Sequence, residues 1–347
     1  MLPFSPDRSF ATAADHAHCA AAIRAGSRSF HLASLALPPR VRKPAYGLYA
    51  FCRLSDDAVD LDAGSHVAVL RLRERLSRAC EGRPYDAPED RALADVMRTY
   101  AIPRAVPEAL LEGLAWDAEG RRYDTLDALH AYAMRVAGAV GVMMTLMMGV
   151  RDPLTLARAS DLGVAMQLTN IARDVGEDAR AGRLYLPLAW LEEAGVDPDA
   201  FLADPVACPA LKGVVARLLR EADRLYARAR HGVAHLPASC RPAILAAALL
   251  YADIGRELLR RHGLDSVSQR ARVGDARKLA LFGKAVALSP LLARDKGTAA
   301  LAAADFLIEA VAREPVRAAP RRASMGAQFV LMLEMFERLE RAERFGE

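Results

Sequence analysis

Four aspartates end an otherwise apolar segment near the N-terminus. The stretch FCRLSDDAVDLDAG, residues 51–64, contains Asp56, Asp57, Asp60 and Asp62, and the preceding PAYGLYAFCRL is nearly free of charge. Acids at the end of a helix oppose the negative end of its dipole, and Asp56 and Asp60 form a like-charge pair at i,i+4. Because such breaks of local rules concentrate at functional sites, the cluster predicts a functional helix end. A solvated helix terminus is the alternative.

A second polar ladder lies further along the chain, in QLTNIARDVGEDARAGRLYLP, residues 167–187. Asn170, Asp174 and Asp178 stand at i, i+4 and i+8, and a spacing of four places them in one stripe of a helix. Gln167 comes three residues before Asn170 and joins the same face. The preceding turns are again apolar, so a polar cluster at the end of an apolar helix occurs twice in the chain.

Two facing ladders of this kind predict a metal-bridged phosphate or diphosphate. Crowded carboxylates need compensation at low dielectric, and Mg²⁺ takes oxygen ligands from one or two carboxylates together with substrate phosphates. A ligand set without His or Cys favours Mg²⁺ or Mn²⁺ over zinc or copper. Apolar helices around such a site are typical of a pocket for a prenyl diphosphate. Capped and solvated acids remain the alternative interpretation.

The elements that must position these side chains are helices. Strand patterns are scarce, and Ala, Leu, Arg and Glu, which favour helices, dominate the chain. We therefore predict an all-α protein. The segments with helical periodicity are Ala14–Arg24, Lys43–Ala58, His66–Cys80, Asp127–Gly149, Arg158–Asp178, Leu211–Ala234, Pro242–His262 and Gln328–Arg344, and the best candidate linker is Arg313–Arg322.

Composition narrows the function classes. The 347 residues carry a formal net charge of +4, and no nucleic-acid-binding motif is visible. The five cysteines are scattered without a CxxC pair, which argues against a zinc site or disulfide framework and favours a reducing, cytoplasmic setting. The N-terminus shows no signal-peptide pattern. The uncharged stretch Val136–Val150 is shorter than the ~20 residues of a membrane span and predicts a buried helix.

The motifs, taken in order, resemble the squalene/phytoene synthase family of head-to-head prenyl transferases, and most closely its bacterial phytoene-forming members. The matching segments are GSRSFHLASLALP (Gly26–Pro38), LYAFCRLSDDAVD (Leu48–Asp60), YAMRVAGAVG (Tyr132–Gly141) and QLTNIARDVGEDARAGRLYLP, with weaker matches in LLYADI (Leu249–Ile254) and QRARVGDARKL (Gln269–Leu279). The resemblance covers roughly residues 19 to 290.

This resemblance implies an isoprenoid synthase fold, a single large helical bundle around a central cavity. We expect one domain over residues 1–347, with a catalytic core at about 19–290 and a helical extension at 291–347. The implied reaction joins two geranylgeranyl diphosphates through a cyclopropylcarbinyl diphosphate to phytoene, the first committed step of carotenoid biosynthesis. The implied metal is Mg²⁺ or Mn²⁺, in several ions bridging the substrate diphosphate.

The resemblance also assigns roles to residues. The implied metal ligands are Asp56, Asp57, Asp60, Asn170, Asp174 and Asp178. The implied catalytic residues are Asp56, Asp60, Asp174, Asp178 and Tyr185. The implied substrate-binding residues are Ser27, Ser29, Phe30, Tyr49, Arg53, Tyr132, Val136, Gly141, Gln167, Asn170, Tyr251 and Arg270, and the four tyrosines Tyr49, Tyr132, Tyr185 and Tyr251 are expected to line the cavity.

Simpler interpretations stand beside several of these roles. Arg53 is well placed for an intrahelical ion pair with Asp57, Ser27 and Ser29 suit helix capping, and each tyrosine also suits ordinary core packing. Gly141 inside a helix costs about 1 kcal/mol against Ala, which indicates close approach of another helix or of a substrate chain.

Two alternative functions stay open. A squalene or dehydrosqualene synthase would use farnesyl diphosphate instead, and pattern alone does not give pocket depth. The absence of a GxGxxG segment disfavours an NADPH-dependent step, so no NADPH is expected. A non-catalytic scaffold relative should lack acids that are present here. Further hypotheses are peripheral association with the inner membrane and contact with downstream carotenoid enzymes; no nucleic-acid partner is expected.

Overall fold

The fold is built from helices, as predicted. A computed structural model describes residues 9–61, 66–294 and 299–314, and within these ranges no β-strand occurs. The helices are α1 (Ala13–Gly26), α2 (Arg28–Ser34), α3 (Pro39–Leu61), α4 (His66–Cys80), α5 (Pro88–Tyr100), α6 (Ala105–Ala118), α7 (Leu126–Ala133), α8 (Ala139–Met147), α9 (Pro153–Arg180), α10 (Leu188–Glu193), α11 (Pro198–Ala203), α12 (Pro209–Val233), α13 (Arg241–His262), α14 (Asp275–Leu288) and α15 (Asp305–Arg313). A π-helical turn, Met134–Gly138, joins α7 to α8.

Seven of the eight segments with helical periodicity coincide with helices, namely α1, α3, α4, α7 to α8, α9, α12 and α13. The eighth, Gln328–Arg344, lies outside the described residues, as does most of the candidate linker Arg313–Arg322. The periodicity does not predict α5 and α6, which bury one side against α3, α4 and α8.

The central element is α9, which packs against α8, α12 and α13. Its start is set by the side chain of Asp152, which accepts a hydrogen bond of 2.9 Å from the Thr155 amide, and by Pro153 in the first helical position. After α9 the chain turns at Gly182, whose φ of +75° suits glycine. All residues of the second polar ladder therefore lie on this one continuous helix.

Glycines let α9 approach the helix formed by α7, the π-helical turn and α8. A Cβ atom on Gly141 would lie 2.4 Å from the carbonyl oxygen of Ala159, and one on Gly163 would lie 2.3 Å from that of Ala137. Real Cβ atoms do not tolerate such distances. Of the two explanations for Gly141, close approach of a helix is therefore present in the fold itself.

The helix Leu126–Met147 is the one candidate membrane span by length and composition within the described residues. Within its most apolar window, 61% of the residues are buried inside the protein. Core helices pass the same test, and the burial fits the prediction of a buried helix for the uncharged stretch that begins at Val136.

Candidate active site

A cavity of about 340 Å³ lies between α2, α3, α8, α9, α12 and α13. Four polar side chains of the lining come from α3, α9 and α13, namely Tyr49, Gln167, Asn170 and Tyr251. Most of the remaining lining is apolar, and it extends along α9 to Arg158 and Thr155 near the start of that helix. We call the region around Gln167 and Asn170 the polar mouth and the apolar part along α9 the tunnel.

The first acidic cluster lies at the end of α3. Arg53 donates to Asp57 through Nε at 3.1 Å and pairs with it through Nη2 at 2.6 Å, and its Nη1 lies 3.6 Å from Asp56. Asp56 is exposed and Asp57 is half-buried. Asp60 belongs to α3, but its side chain lies outside the described part of the structure. The intrahelical ion pair expected between Arg53 and Asp57 is therefore formed.

The second cluster lies on α9 and is also balanced by arginines. Asp174 accepts a 2.7 Å hydrogen bond from Nε of Arg173, and Nε of Arg270 lies 2.9 Å from the same carboxylate oxygen. Arg270 also pairs with Glu177 at 2.9 Å. Burial, followed by the nearby negative charge of Asp174, raises the pKa of Asp178 to about 7. The cluster thus combines Asp174, whose charge is balanced by two arginines, with Asp178, whose carboxyl group is costly to ionise.

The donor set fits a hard divalent cation bound together with a ligand. Among the described residues, no three His, Cys, Asp or Glu side chains form a ready-made metal-binding group. However, the side-chain oxygen of Asn170 is buried and has no hydrogen-bond partner, and it borders the cavity. An orphaned buried acceptor calls for a donor or a cation. Because Mg²⁺ completes its shell with phosphate oxygens and water, this oxygen and the neighbouring carboxylates suit that ion when a diphosphate is present.

The first of the segments that resemble the family, Gly26–Pro38, contains α2. Ser27 caps this helix by accepting a 3.2 Å hydrogen bond from the Phe30 amide, which is the simpler role expected for it. The Phe30 ring stacks on Tyr251 with centroids 4.9 Å apart, and this contact fastens α2 to α13. Neither Ser27 nor Ser29 belongs to the cavity lining.

Two of the four expected cavity tyrosines are placed differently. Tyr132 and Tyr185 are buried, and neither belongs to the lining, which corrects the expectation for them. The reason is Asp117 on α6: one of its carboxylate oxygens accepts a 2.9 Å hydrogen bond from Tyr132, and the other accepts one of 2.8 Å from Tyr185. The aspartate therefore draws both phenols into the protein.

Seven predicted residues do come together around one volume. The substrate-binding candidates in the cavity lining are Phe30, Tyr49, Val136, Gly141, Gln167, Asn170 and Tyr251. Arg53 and Arg270 lie on the acidic clusters rather than in the lining. The roles of all these residues stay predictions, and the geometry supplies their placement.

Sequence reasoning missed Asp117, which lies on a helix that the periodicity did not predict. Burial chiefly, and the negative field of Asp56 to a smaller extent, raise the pKa of Asp117 to about 6. Its own carboxylate contributes in turn to raising the pKa of Asp178. Asp117 therefore interacts electrostatically with both acidic clusters. No spacing rule in the sequence indicates this proximity.

The helical fold encloses an apolar cavity with a polar mouth, an arrangement typical of an enzyme that acts on a prenyl diphosphate. The sequence profile described as squalene/phytoene synthase matches residues 23–277. The chain belongs to the squalene/phytoene synthase family, which comprises prenyltransferase enzymes.

Relatives named phytoene synthase cover most of the chain. That of Cereibacter sphaeroides is 52% identical over 315 residues, which are 86% of this chain and 88% of the relative. That of Rhodobacter capsulatus is 53% identical over 291 residues, or 81% of this chain and 85% of the relative. These names favour the phytoene-forming interpretation over its C30 alternatives.

Solved structures confirm the predicted isoprenoid synthase fold. A dehydrosqualene synthase in complex with ligand superposes with a TM-score of 0.73 at 30% identity and covers 83% of this chain and 100% of its own. A squalene synthase from Alicyclobacillus acidocaldarius gives a TM-score of 0.64 at 26% identity, with coverage of 72% and 94%.

Proposed function

We propose that the protein is a phytoene synthase that condenses two geranylgeranyl diphosphates head to head through a cyclopropylcarbinyl diphosphate. Joining two C20 units to this C40 hydrocarbon releases two diphosphates and two protons and requires no reductant. The observation that carries the proposal is an apolar cavity with a polar mouth, in a chain whose relatives over most of its length bear that name.

The length of the tunnel supports the C20 substrate. It follows α9 from Asn170 at the mouth to Thr155, a distance of roughly 22 Å at 1.5 Å per residue. An extended isoprene unit spans on the order of 5 Å, given C–C bonds of about 1.5 Å. Four units therefore need about 20 Å, and three would leave the inner part of the tunnel empty.

The arginines of the two clusters supply the positive charge for diphosphate recognition. Arg53 on one side and Arg173 with Arg270 on the other are within ion-pair distance of the acidic residues. A charge-assisted hydrogen bond from guanidinium to phosphate is among the strongest contacts a side chain makes. These arginines would hold the leaving group in place on both sides of the mouth.

Oxygen ligands for a metal would come from Asp56, Asn170, Asp174 and Asp178, with Asp57 and Asp60 as further candidates. When bound, Mg²⁺ or Mn²⁺ would neutralise negative charge that develops on the departing diphosphate. The apolar wall contributes by excluding water, because a carbocation in the tunnel then meets no competing nucleophile.

The expected setting is cytoplasmic, with peripheral membrane association as the finer proposal. Its motivation is the product, a hydrocarbon that water does not dissolve. A flotation assay with anionic and neutral vesicles tests it: the protein should float with anionic vesicles, and full recovery in the unbound fraction would count against the proposal.

A product assay tests the function. Purified protein is incubated with C15 or C20 prenyl diphosphate, with Mg²⁺ or Mn²⁺, and with or without NADPH, and the extracted hydrocarbon is identified by mass spectrometry. We expect a C40 hydrocarbon from the C20 substrate without NADPH. A C30 product formed from the C15 substrate alone would refute the proposal, and NADPH dependence would then separate squalene from dehydrosqualene.

A further inference from the structure

The partly buried carboxylate of Asp117 has no role in the function proposed so far. It lies on α6, beside the π-helical turn: a Cβ atom on Gly113, one turn earlier on α6, would lie 2.5 Å from Val136, which lines the cavity. Asp117 itself is therefore placed just outside the cavity wall.

The two tyrosines that contact Asp117 pack with a third into an aromatic unit, which we call the tyrosine stack: Tyr123, Tyr132 and Tyr185. The rings of Tyr132 and Tyr185 lie 5.2 Å apart at an interplanar angle of 22°, and Tyr123 lies 5.1 Å from Tyr132. Both oxygens of Asp117 accept a phenol proton. One carboxylate thus fixes the hydroxyl direction and ring setting of two residues that come from distant parts of the chain.

The stack connects the parts of the site. Tyr132 lies on α7, one turn before Val136 in the cavity wall, and Tyr185 lies on the turn that follows the second polar ladder. Each phenol donates its proton to Asp117, so its oxygen keeps only acceptor character toward other groups. A free phenol would instead be able to rotate and present a hydroxyl as a nucleophile or donor.

We propose that Asp117 is a positioning residue that acts through Tyr132 and Tyr185 to keep the wall beside the polar mouth rigid and closed to water while the cationic intermediate rearranges. This inference rests on the proposed function. It predicts that loss of the carboxylate affects the fate of the cation more than the binding of the substrate.

The test is Asp117→Asn, in which one oxygen is replaced by an NH₂ group that has no free acceptor for the second phenol. With the C20 substrate we expect kcat to fall about ten- to a hundredfold, the equivalent of one or two lost hydrogen bonds to a charged group, while KM changes by less than about threefold. The ratio of water-captured C40 alcohols to C40 hydrocarbon should rise. A product ratio does not depend on the fraction of folded enzyme, so a merely structural role would not move it.

Asp253→Asn is the matched control. Asp253 is also a buried aspartate and pairs with Arg277 at 2.8 Å, but it does not belong to the cavity lining. This variant should lose stability without a change in the product ratio. Equal shifts of the ratio in both variants would overturn the assignment of Asp117.

A mutant cycle tests whether Asp117 acts through the tyrosines. In a Tyr132→Phe/Tyr185→Phe background, Asp117→Asn should change kcat by less than about twofold, because the groups it positions are gone. The same fold-change in both backgrounds would refute the proposal.

A readout without substrate separates failure of this inference from failure of the proposed function. With 3-fluorotyrosine incorporated, the ¹⁹F resonances of Tyr132 and Tyr185 should shift or broaden in Asp117→Asn and remain unchanged in Asp253→Asn. If the wild type forms no C40 product, the proposed function fails. If these resonances do not respond, the positioning role of Asp117 fails regardless of the product.

Discussion

A bulky side chain deep in the tunnel should change the preferred substrate. Ala159 lines the cavity on α9 and lies roughly 16 Å along the helix from Asn170 at 1.5 Å per residue. Three isoprene units of about 5 Å each fit within that distance. In Ala159→Phe the ring should therefore obstruct the fourth unit and leave the first three unaffected.

The magnitude follows from the carbon atoms excluded. One isoprene unit has five carbons, and at about 0.8 kcal/mol per buried CH₂ its loss from the tunnel costs roughly 4 kcal/mol. This corresponds to about a thousandfold in kcat/KM. We expect kcat/KM for the C20 diphosphate to fall by up to that factor relative to the C15 diphosphate.

The assay is competition between the two diphosphates at equal concentration, with products resolved by chain length. Ala227→Phe, on the exposed side of α12, is the control and should leave the preference unchanged. Thermal unfolding monitors overpacking, which costs about 1–3 kcal/mol in a tight core. A folded Ala159→Phe variant with unchanged C20 preference would refute the tunnel assignment.

The remaining predictions concern charge and packing. Asp174→Asn should lower kcat/KM by at least about a hundredfold, with the helix content measured by circular dichroism unchanged. The exposed control Asp199→Asn should leave kcat/KM unchanged. Near-normal turnover by Asp174→Asn would contradict the metal-ligand role. Gly141→Ala should lower the free energy of unfolding by about 1–3 kcal/mol through its clash with α9. Gly283→Ala, whose added Cβ would meet no atom within 4 Å, should raise it by up to about 1 kcal/mol. Urea titration measures both changes, and a stabilised Gly141→Ala variant would contradict the close packing of α8 on α9. The pKa of Asp117 is raised from 3.8 to about 6, so the folded state takes up a proton before the unfolded state does. From pH 7 to pH 4 the wild type should therefore gain up to roughly 3 kcal/mol in stability relative to Asp117→Asn, and a difference that does not change with pH would contradict this.

Much of the fold can be predicted from local patterns in the sequence. Long runs of good helix formers with helical periodicity identify α9, α12 and α13, and the four-residue spacing of Asn170, Asp174 and Asp178 places these side chains in one stripe of α9. Both are properties of one helix, and a sequence displays them directly. The segment matches then extended these local signals to a family and its fold.

Contacts between distant segments were not visible in the same way. Asp117 belongs to no spaced motif in the sequence, and its two phenol partners lie on α7 and after α9. No periodicity links such residues, so the tyrosine stack required coordinates. The same holds for Gly141, whose sequence left two explanations open until the carbonyl oxygen of Ala159 was located beside it.

The arginine contacts account for acids that violate local helix rules. Carboxylates at the end of a helix are unfavourable alone, but Arg53 pairs with Asp57, and Arg270 pairs with Asp174. These pairs offset the repulsion between the carboxylates. In the proposed function, a diphosphate and its metal ions would bring both signs of charge, so the cations would bind the carboxylates while the arginines would turn to phosphate oxygens. Each charged group would then keep a partner of opposite charge, which would allow strongly acidic clusters in a stable fold.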